Sequence, residues 1–235
     1  MRLLNVKTRK LEEFFDEFIP RYAILSHTWG ADEVLYSHVQ EGGYKGGSAK
    51  VDGCCAQAAK DGLDYVWIDT CCIDKSSSAE LSEAINSMFA WYRGSVVCYV
   101  YLVDLTSAFA KSRWFTRGWT LQELLAPDNV VFFSASWSPI GRKLSKPRIR
   151  VLTTITGIPD SCLSASSKAF GEASVAQKMS WAAGRKTTRR EDRAYSLLGI
   201  FGVNMAMLYG EGDNAFVRLQ EEILRLSDDH SLLAW

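Results

Sequence analysis

Tyr65-Val66-Trp67-Ile68-Asp69 and Val96-Val97-Cys98-Tyr99-Val100-Tyr101-Leu102-Val103 are apolar runs of strand length, and the segment between them decides the fold. Ser77-Ser78-Ala79-Glu80 has the form of a capping box, with Ser77 at the N-cap and Glu80 at the third helical position. Leu81, Ala84, Ile85, Met88 and Tyr92 then step at helical spacing until Gly94 stops the pattern. A strand–helix–strand order whose second strand is apolar on both faces predicts a central parallel sheet.

Upstream, Tyr22-Ala23-Ile24-Leu25-Ser26 is a further buried strand, running into His27-Thr28-Trp29-Gly30. Val51 to Lys60 is a helix ending before Gly62, and the stretch from Glu41 to Ser48, with four glycines, is expected to be a mobile loop. Downstream, a short helix from about Arg117 to Ala126 is ended by Pro127 and followed by the strand Val130-Val131-Phe132-Phe133. Past about residue 145 the pattern turns helical: about 173–183, about 192–200, and Asn214 to Ser227 with Asp213 as its N-cap. We therefore expect a single domain, with an α/β core over about 20–140 and a mainly helical elaboration over about 145–235. The close on Leu232-Leu233-Ala234-Trp235 suggests the N-terminal domain of a longer protein.

Composition narrows the function classes. Lys+Arg 27 balances Asp+Glu 27, so no net field argues for a nucleic-acid partner. Cys54, Cys55, Cys71, Cys72, Cys98 and Cys162 show no C-x-x-C spacing, and three histidines add no ligand cluster; we expect reduced, buried thiols and no metal. The N-terminus has no apolar core of signal-peptide length, and the run from Val96 to Val103 is too short for a membrane span. A soluble, cytoplasmic protein is the expectation.

In open parallel sheets, ligands bind outside the carboxyl ends of the strands. That rule selects Ser26–Gly30, Asp69–Lys75 and the segment leading to Trp119 and Glu123. On the helix through Arg117-Gly118-Trp119-Thr120-Leu121-Gln122-Glu123-Leu124-Leu125, the leucines 121, 124 and 125 share one face. Trp119 and Glu123, four residues apart, lie roughly opposite, where an indole and a carboxylate can wall a cleft for a planar cation. On spacing alone, a surface glutamate beside a partly exposed tryptophan is the simpler reading.

Tyr22–Gly30, Val66–Lys75 and Arg117–Leu124 resemble, in the same order, the three signature blocks of the fungal heterokaryon incompatibility (HET) family. Arg190–Gly199 and the stretch from Tyr209-Gly210-Glu211-Gly212 through Gln220 are similar to two further family segments, so the resemblance covers nearly the whole chain from Tyr22. Asp74-Lys75 replaces the Asn-Gln of many members, so amide chemistry at that loop is not essential here. The family is in turn more distantly similar to TIR domains, whose W-C-x-x-E-L helix matches Trp119-Thr120-Leu121-Gln122-Glu123-Leu124, with Thr120 in place of the cysteine.

That second resemblance implies a TIR-like, flavodoxin-like central parallel sheet flanked by helices, with the helical part appended. It implies NAD+ or a related nucleotide as substrate rather than cofactor, with Glu123 as the catalytic residue of hydrolysis at the nicotinamide–ribose bond. A fixed carboxylate stabilises an oxocarbenium-like state, and nicotinamide is already a cationic leaving group needing no metal or strong acid. Trp29 or Trp119 would stack the pyridinium, while Ser26, Asp69 and Arg117 would bind ribose or pyrophosphate. Arg189, Asp192 or Tyr195 would close the pocket from the C-terminal part. By the same resemblance, the domain would be a cell-death effector joined to a C-terminal receptor module and activated by homo-oligomerisation.

Other readings remain beside this one. The TIR-like surface, including Thr70 to Ser78, can serve as a non-enzymatic module that signals by homotypic assembly. Ser26-His27 lacks the G-x-S-x-G elbow of a hydrolase. Cys71 with His27 as a nucleophile pair competes with a buried thiol. The glycines at 42–47 and the Gly210–Gly212 pair lack a Walker lysine, and Arg185 to Arg190 reads as a solvated or acid-paired loop.

Overall fold

The computed structural model describes residues 1–15, 18–40, 44–104 and 108–233. The strands are β1 (Arg2–Asn5), β2 (Leu11–Glu13), β3 (Tyr22–His27), β4 (Tyr65–Trp67), β5 (Val97–Leu102), β6 (Val130–Ser134) and β7 (Pro139–Arg142). The helices are α1 (Tyr36–Gln40), α2 (Ala49–Lys60), α3 (Ser78–Gly94), α4 (Thr120–Leu125), α5 (Lys146–Thr156), α6 (Lys168–Glu172), α7 (Val175–Ala183), α8 (Asp192–Tyr195), α9 (Leu198–Phe201) and α10 (Asn214–Leu226).

Among the described residues the sheet has seven strands in the order β2-β1-β4-β3-β5-β6-β7. β4, β3, β5 and β6 are parallel, whereas β1, β2 and β7 are antiparallel additions at the two edges. The expected central parallel sheet is present as the core of a mixed sheet, whose antiparallel edge strands the sequence reading did not include. Residues 22–27 and 97–102 are buried along their whole length, as strands covered on both faces must be. β4 lies on one side of β3 and β5 on the other, so the strand order reverses at β3 and leaves a crevice at its carboxyl end.

Local chemistry explains several element ends. Ser77 caps α3, accepting the Glu80 N–H at 3.3 Å. The expected capping box is not reciprocated: the Glu80 carboxylate instead accepts the Asp74 N–H at 2.8 Å and pairs with Arg2 of β1. A full capping box appears at α7, between Ser174 and Gln177. Asp213 occupies the N-cap position of α10 as expected, but its side chain makes no capping hydrogen bond; its carboxylate lies 3.9 Å from both Arg190 and Arg193. The helix expected over about 192–200 is split into α8 and α9. All six cysteines are buried and unbridged. Of the glycine-rich stretch from Glu41 to Ser48, residues 41–43 lie outside the described residues. Among the described residues no helix is long and apolar enough to cross a membrane.

The helices beyond residue 145 pack around this sheet and its first helices. α9 crosses α3 so closely that a Cβ on Gly199 would lie 2.0 Å from the Phe89 Cβ. Gly199→Ala should therefore cost about 1–3 kcal/mol through overpacking, read as a lower urea midpoint. Gly171→Ala in α6 meets nothing within 4 Å and should leave the midpoint unchanged or raise stability by up to about 1 kcal/mol.

Candidate active site

The carboxyl ends of β3 and β4 place His27 and Asp69 at one rim of the crevice, with Ser26 buried beneath, and α4 supplies the opposite wall. Only six residues long, α4 is clamped at both ends. The Thr120 hydroxyl donates to the carbonyls of Trp114 and Arg117, the latter at 2.9 Å, and Arg185 Nη1 donates to the Arg117 carbonyl and Thr120 Oγ1 at 3.0 Å each. At the other end the Lys143 ammonium, 0% exposed, donates to the carbonyls of Leu124 (3.0 Å) and Pro127. A buried cation there satisfies carbonyls that the helix itself leaves open. Burial pushes Lys143 down to about 8 and Arg185 to about 10.

All six residues of α4 are buried, Glu123 included at 7% exposure. Its Oε2 accepts a hydrogen bond from the Ser26 hydroxyl, whose oxygen accepts the Trp114 Nε1–H at 2.7 Å. Burial pushes the Glu123 carboxyl up to about 8; the negative charge of Asp69 adds to the rise, while Ser26, Tyr92 and Arg117 work against it. Desolvation is the largest of these effects, and it makes Glu123 a proton-holding acid at neutral pH.

Beside Glu123 opens a cleft of about 350 Å³, within the range of small-molecule sites. Trp29, Asp69, Arg117 and Trp119 line it together with Glu123, so five of the six residues chosen from sequence meet there. Ser26, 1% exposed, stands behind Glu123 rather than on the cleft surface. Trp29 Nε1 donates to Asp69 Oδ2 at 2.8 Å. The Lys75 ammonium lies 3.5 Å from the centroid of the Trp29 ring and 3.7 Å from Asp69. Burial pulls Lys75 below its ordinary value, with Asp69 opposing.

His27 is buried between two carboxylates, Nε2 at 3.3 Å from Glu33 and Nδ1 at 3.8 Å from Asp69. Burial disfavours a charge on Glu33, yet His27, Lys50 and the Gly30 N–H together hold it down at about 2. The far wall comes from the C-terminal part. Asp192, raised by burial, accepts the Tyr209 hydroxyl at 3.0 Å, and the Arg189 guanidinium covers the Tyr209 ring at 4.4 Å. Arg189 and Asp192 thus line the cleft as expected. Tyr195 does not: its hydroxyl donates to Glu211 (2.8 Å) and accepts the Leu208 N–H (2.9 Å). Tyr209 takes that place; sequence reasoning did not select it, although the Tyr209–Gly212 block stands out in the sequence. Trp114 and Lys143 carry no spacing signal. Among the described residues no group of three or more His, Cys, Asp or Glu is arranged to hold a metal ion.

A carboxyl raised from 4.5 to about 8 binds a proton more tightly folded than unfolded. Its stabilising contribution is complete below the unfolded value and is lost as pH rises through the folded one, each tenfold difference in proton affinity being worth about 1.4 kcal/mol. Wild-type stability should therefore fall by several kcal/mol relative to Glu123→Gln between pH 4.5 and about 8, measured by denaturant titration at a series of pH values. Parallel curves for the two proteins would contradict the burial of Glu123.

A family model described as Heterokaryon incompatibility protein (HET) matches residues 22–107. Over 223 residues the chain is 49% identical to the vegetative incompatibility protein HET-E-1 of Podospora anserina, an alignment covering 87% of this chain and 16% of that protein. The chain thus spans a small part of that relative's length. No solved structure matches. With nearly half of the aligned positions identical across most of its length, and the family model falling on strands and loops that build the cleft, the chain belongs to the heterokaryon incompatibility (HET) family.

Proposed function

We propose that the chain is the effector domain of an incompatibility response and hydrolyses NAD+ at the nicotinamide–ribose bond. One observation carries this reading: a buried, proton-holding carboxyl, Glu123, faces a cleft walled by Trp29, Trp119 and Tyr209 and by the carboxyl groups of Asp69 and Asp192. Aromatic faces and carboxylates together recognise a cationic heterocycle. The face of Trp29 already holds a cation in the protein alone, the Lys75 ammonium. The parallel strands, numbered along the chain, run 2-1-3-4 as in flavodoxin-like sheets, which supports a TIR-like core with its ligand site at this crevice.

The pyridinium supplies the charge that Glu123 lacks. Its approach favours the carboxylate, the Glu123 proton leaves to solvent, and the carboxylate then faces the anomeric carbon. Heterolysis of the C1′–N bond sends the electron pair to nicotinamide, which departs neutral. The ribosyl oxocarbenium is stabilised by Glu123 until water adds and loses a proton, giving ADP-ribose. Ser26, oriented by Trp114, holds the carboxylate in place. Homo-oligomerisation, driven by a C-terminal receptor module in the cytoplasm, would raise activity by bringing domains together.

Nicotinamide release should be measured on concentrated or artificially oligomerised protein. Glu123→Gln should lower it by roughly 100- to 1,000-fold while fold and self-association persist. For wild type, kcat/KM should rise with pH up to about 8 and level off, because the free enzyme must lose the Glu123 proton. No release from a verified assembly, with cell death tracking self-association instead, would replace this reading by that of a non-enzymatic signalling module.

A further inference from the structure

Outside the cleft lies a second cavity of about 220 Å³, which shares Trp29, Arg117 and Thr188 with it. It differs in lacking carboxyl groups. Arg113, Arg117 and Lys186 line it with hydroxyls that include Thr28 and Thr187, and no carboxylate is among the lining residues. The cleft, by contrast, mixes Asp69, Glu123 and Asp192 with Lys75, Arg117 and Arg189. Arg117 stands at the junction.

This basic cavity is built by joining two distant parts of the chain. Arg117 and Lys186 form an isolated parallel bridge, with the Lys186 N–H donating to the Thr116 carbonyl at 2.7 Å and the Gly118 N–H to the Lys186 carbonyl at 2.9 Å. Gly118 permits that approach, since a Cβ there would come within 2.5 Å of Thr187 Cγ2. The backbone beneath the cations is therefore fixed while their side chains remain accessible. Arg113 has one loose carboxylate neighbour, Asp104 at 3.8 Å. Among the described residues, neither Arg117 nor Lys186 has an ion-pair partner within about 4 Å. Cations lining one cavity with few carboxylate partners leave donors available, an arrangement suited to an anion with several acceptor oxygens.

We propose that this cavity is the phosphate subsite of the ligand. It receives the diphosphate of a dinucleotide whose cationic head lies against the aromatic rings and carboxyl groups of the cleft, with Arg117 between the two. The inference rests on the NAD+ reading above and adds to it the residues that select a phosphate-bearing substrate. It also gives the C-terminal part a role, because Lys186, Thr187 and Thr188 belong to it and the subsite is incomplete without them. A cation at one end and an anion at the other fix the direction in which the substrate enters.

The test uses ADP-ribose, which keeps the diphosphate and lacks nicotinamide, and adenosine, which lacks phosphate. Calorimetry on the wild-type domain should show ADP-ribose binding that weakens as salt rises. Lys186→Glu and Arg113→Glu should each weaken it about tenfold or more, and Lys186→Arg should keep it within about threefold of wild type. Adenosine should bind more weakly than ADP-ribose and respond to none of these changes. Two results would overturn the subsite: no ADP-ribose binding at millimolar concentration, or binding indifferent to both charge reversals. Its failure is separable from that of hydrolysis. ADP-ribose binding that depends on Lys186 without nicotinamide release leaves the subsite standing. Nicotinamide release whose KM ignores Lys186→Glu removes the subsite and keeps the enzyme.

Discussion

A carboxyl group packed under the end of a central strand is costly wherever it loses water, and Glu123 is in that position. Ser26, itself held by Trp114, donates a hydrogen bond to it, and the surrounding groups leave the carboxyl protonated at neutral pH. An apolar residue of similar volume would satisfy the fold at lower cost. The rest of the architecture is arranged so that this group is kept fixed: buried cations clamp α4 at both ends, and the strand order reverses beside it.

The sheet and the C-terminal helices divide the work between them. The parallel strands deliver Asp69 and the β3 loop to one rim, because their carboxyl ends all point the same way. The later helices return over α3 and α4 and bring Asp192, Tyr209 and the Thr188–Arg189 corner to the other. Close backbone approaches at Gly118 and Gly199 are what allow this return. The site thus lies at the seam between the parallel core and the later helices, with a carboxyl-bearing cleft and a basic cavity meeting at Arg117.

How far this was legible in the sequence varied with the physics of each element. The parallel strands and α2, α3 and α10 announced themselves through long apolar runs or strong helical periodicity. The edge strands did not: Leu11-Glu12-Glu13 and Pro139-Ile140-Gly141-Arg142 are short, partly exposed and rich in charge or turn residues. Helical spacing placed Glu123 away from the leucines but could not reveal its burial, because the covering layer arrives from Arg185 and the loop after it, roughly sixty residues later. For the same reason Ser26 looked like a surface ligand and proves to stand behind Glu123. Tyr209 and Lys143 act through contacts with groups elsewhere in the chain; no local pattern marks Lys143, and the block that holds Tyr209 does not reveal its contact with Asp192.

The central claim is that Glu123 holds a proton in the protein alone and gives it up to a cationic ring. Carbon-13 NMR of the Glu123 carboxyl, titrated with pH in the presence and absence of N-methylnicotinamide, tests it directly. The account predicts a midpoint near 8 for the protein alone, moved downward by the cation. A midpoint near the ordinary 4.5, or one that the cation leaves in place, would contradict it.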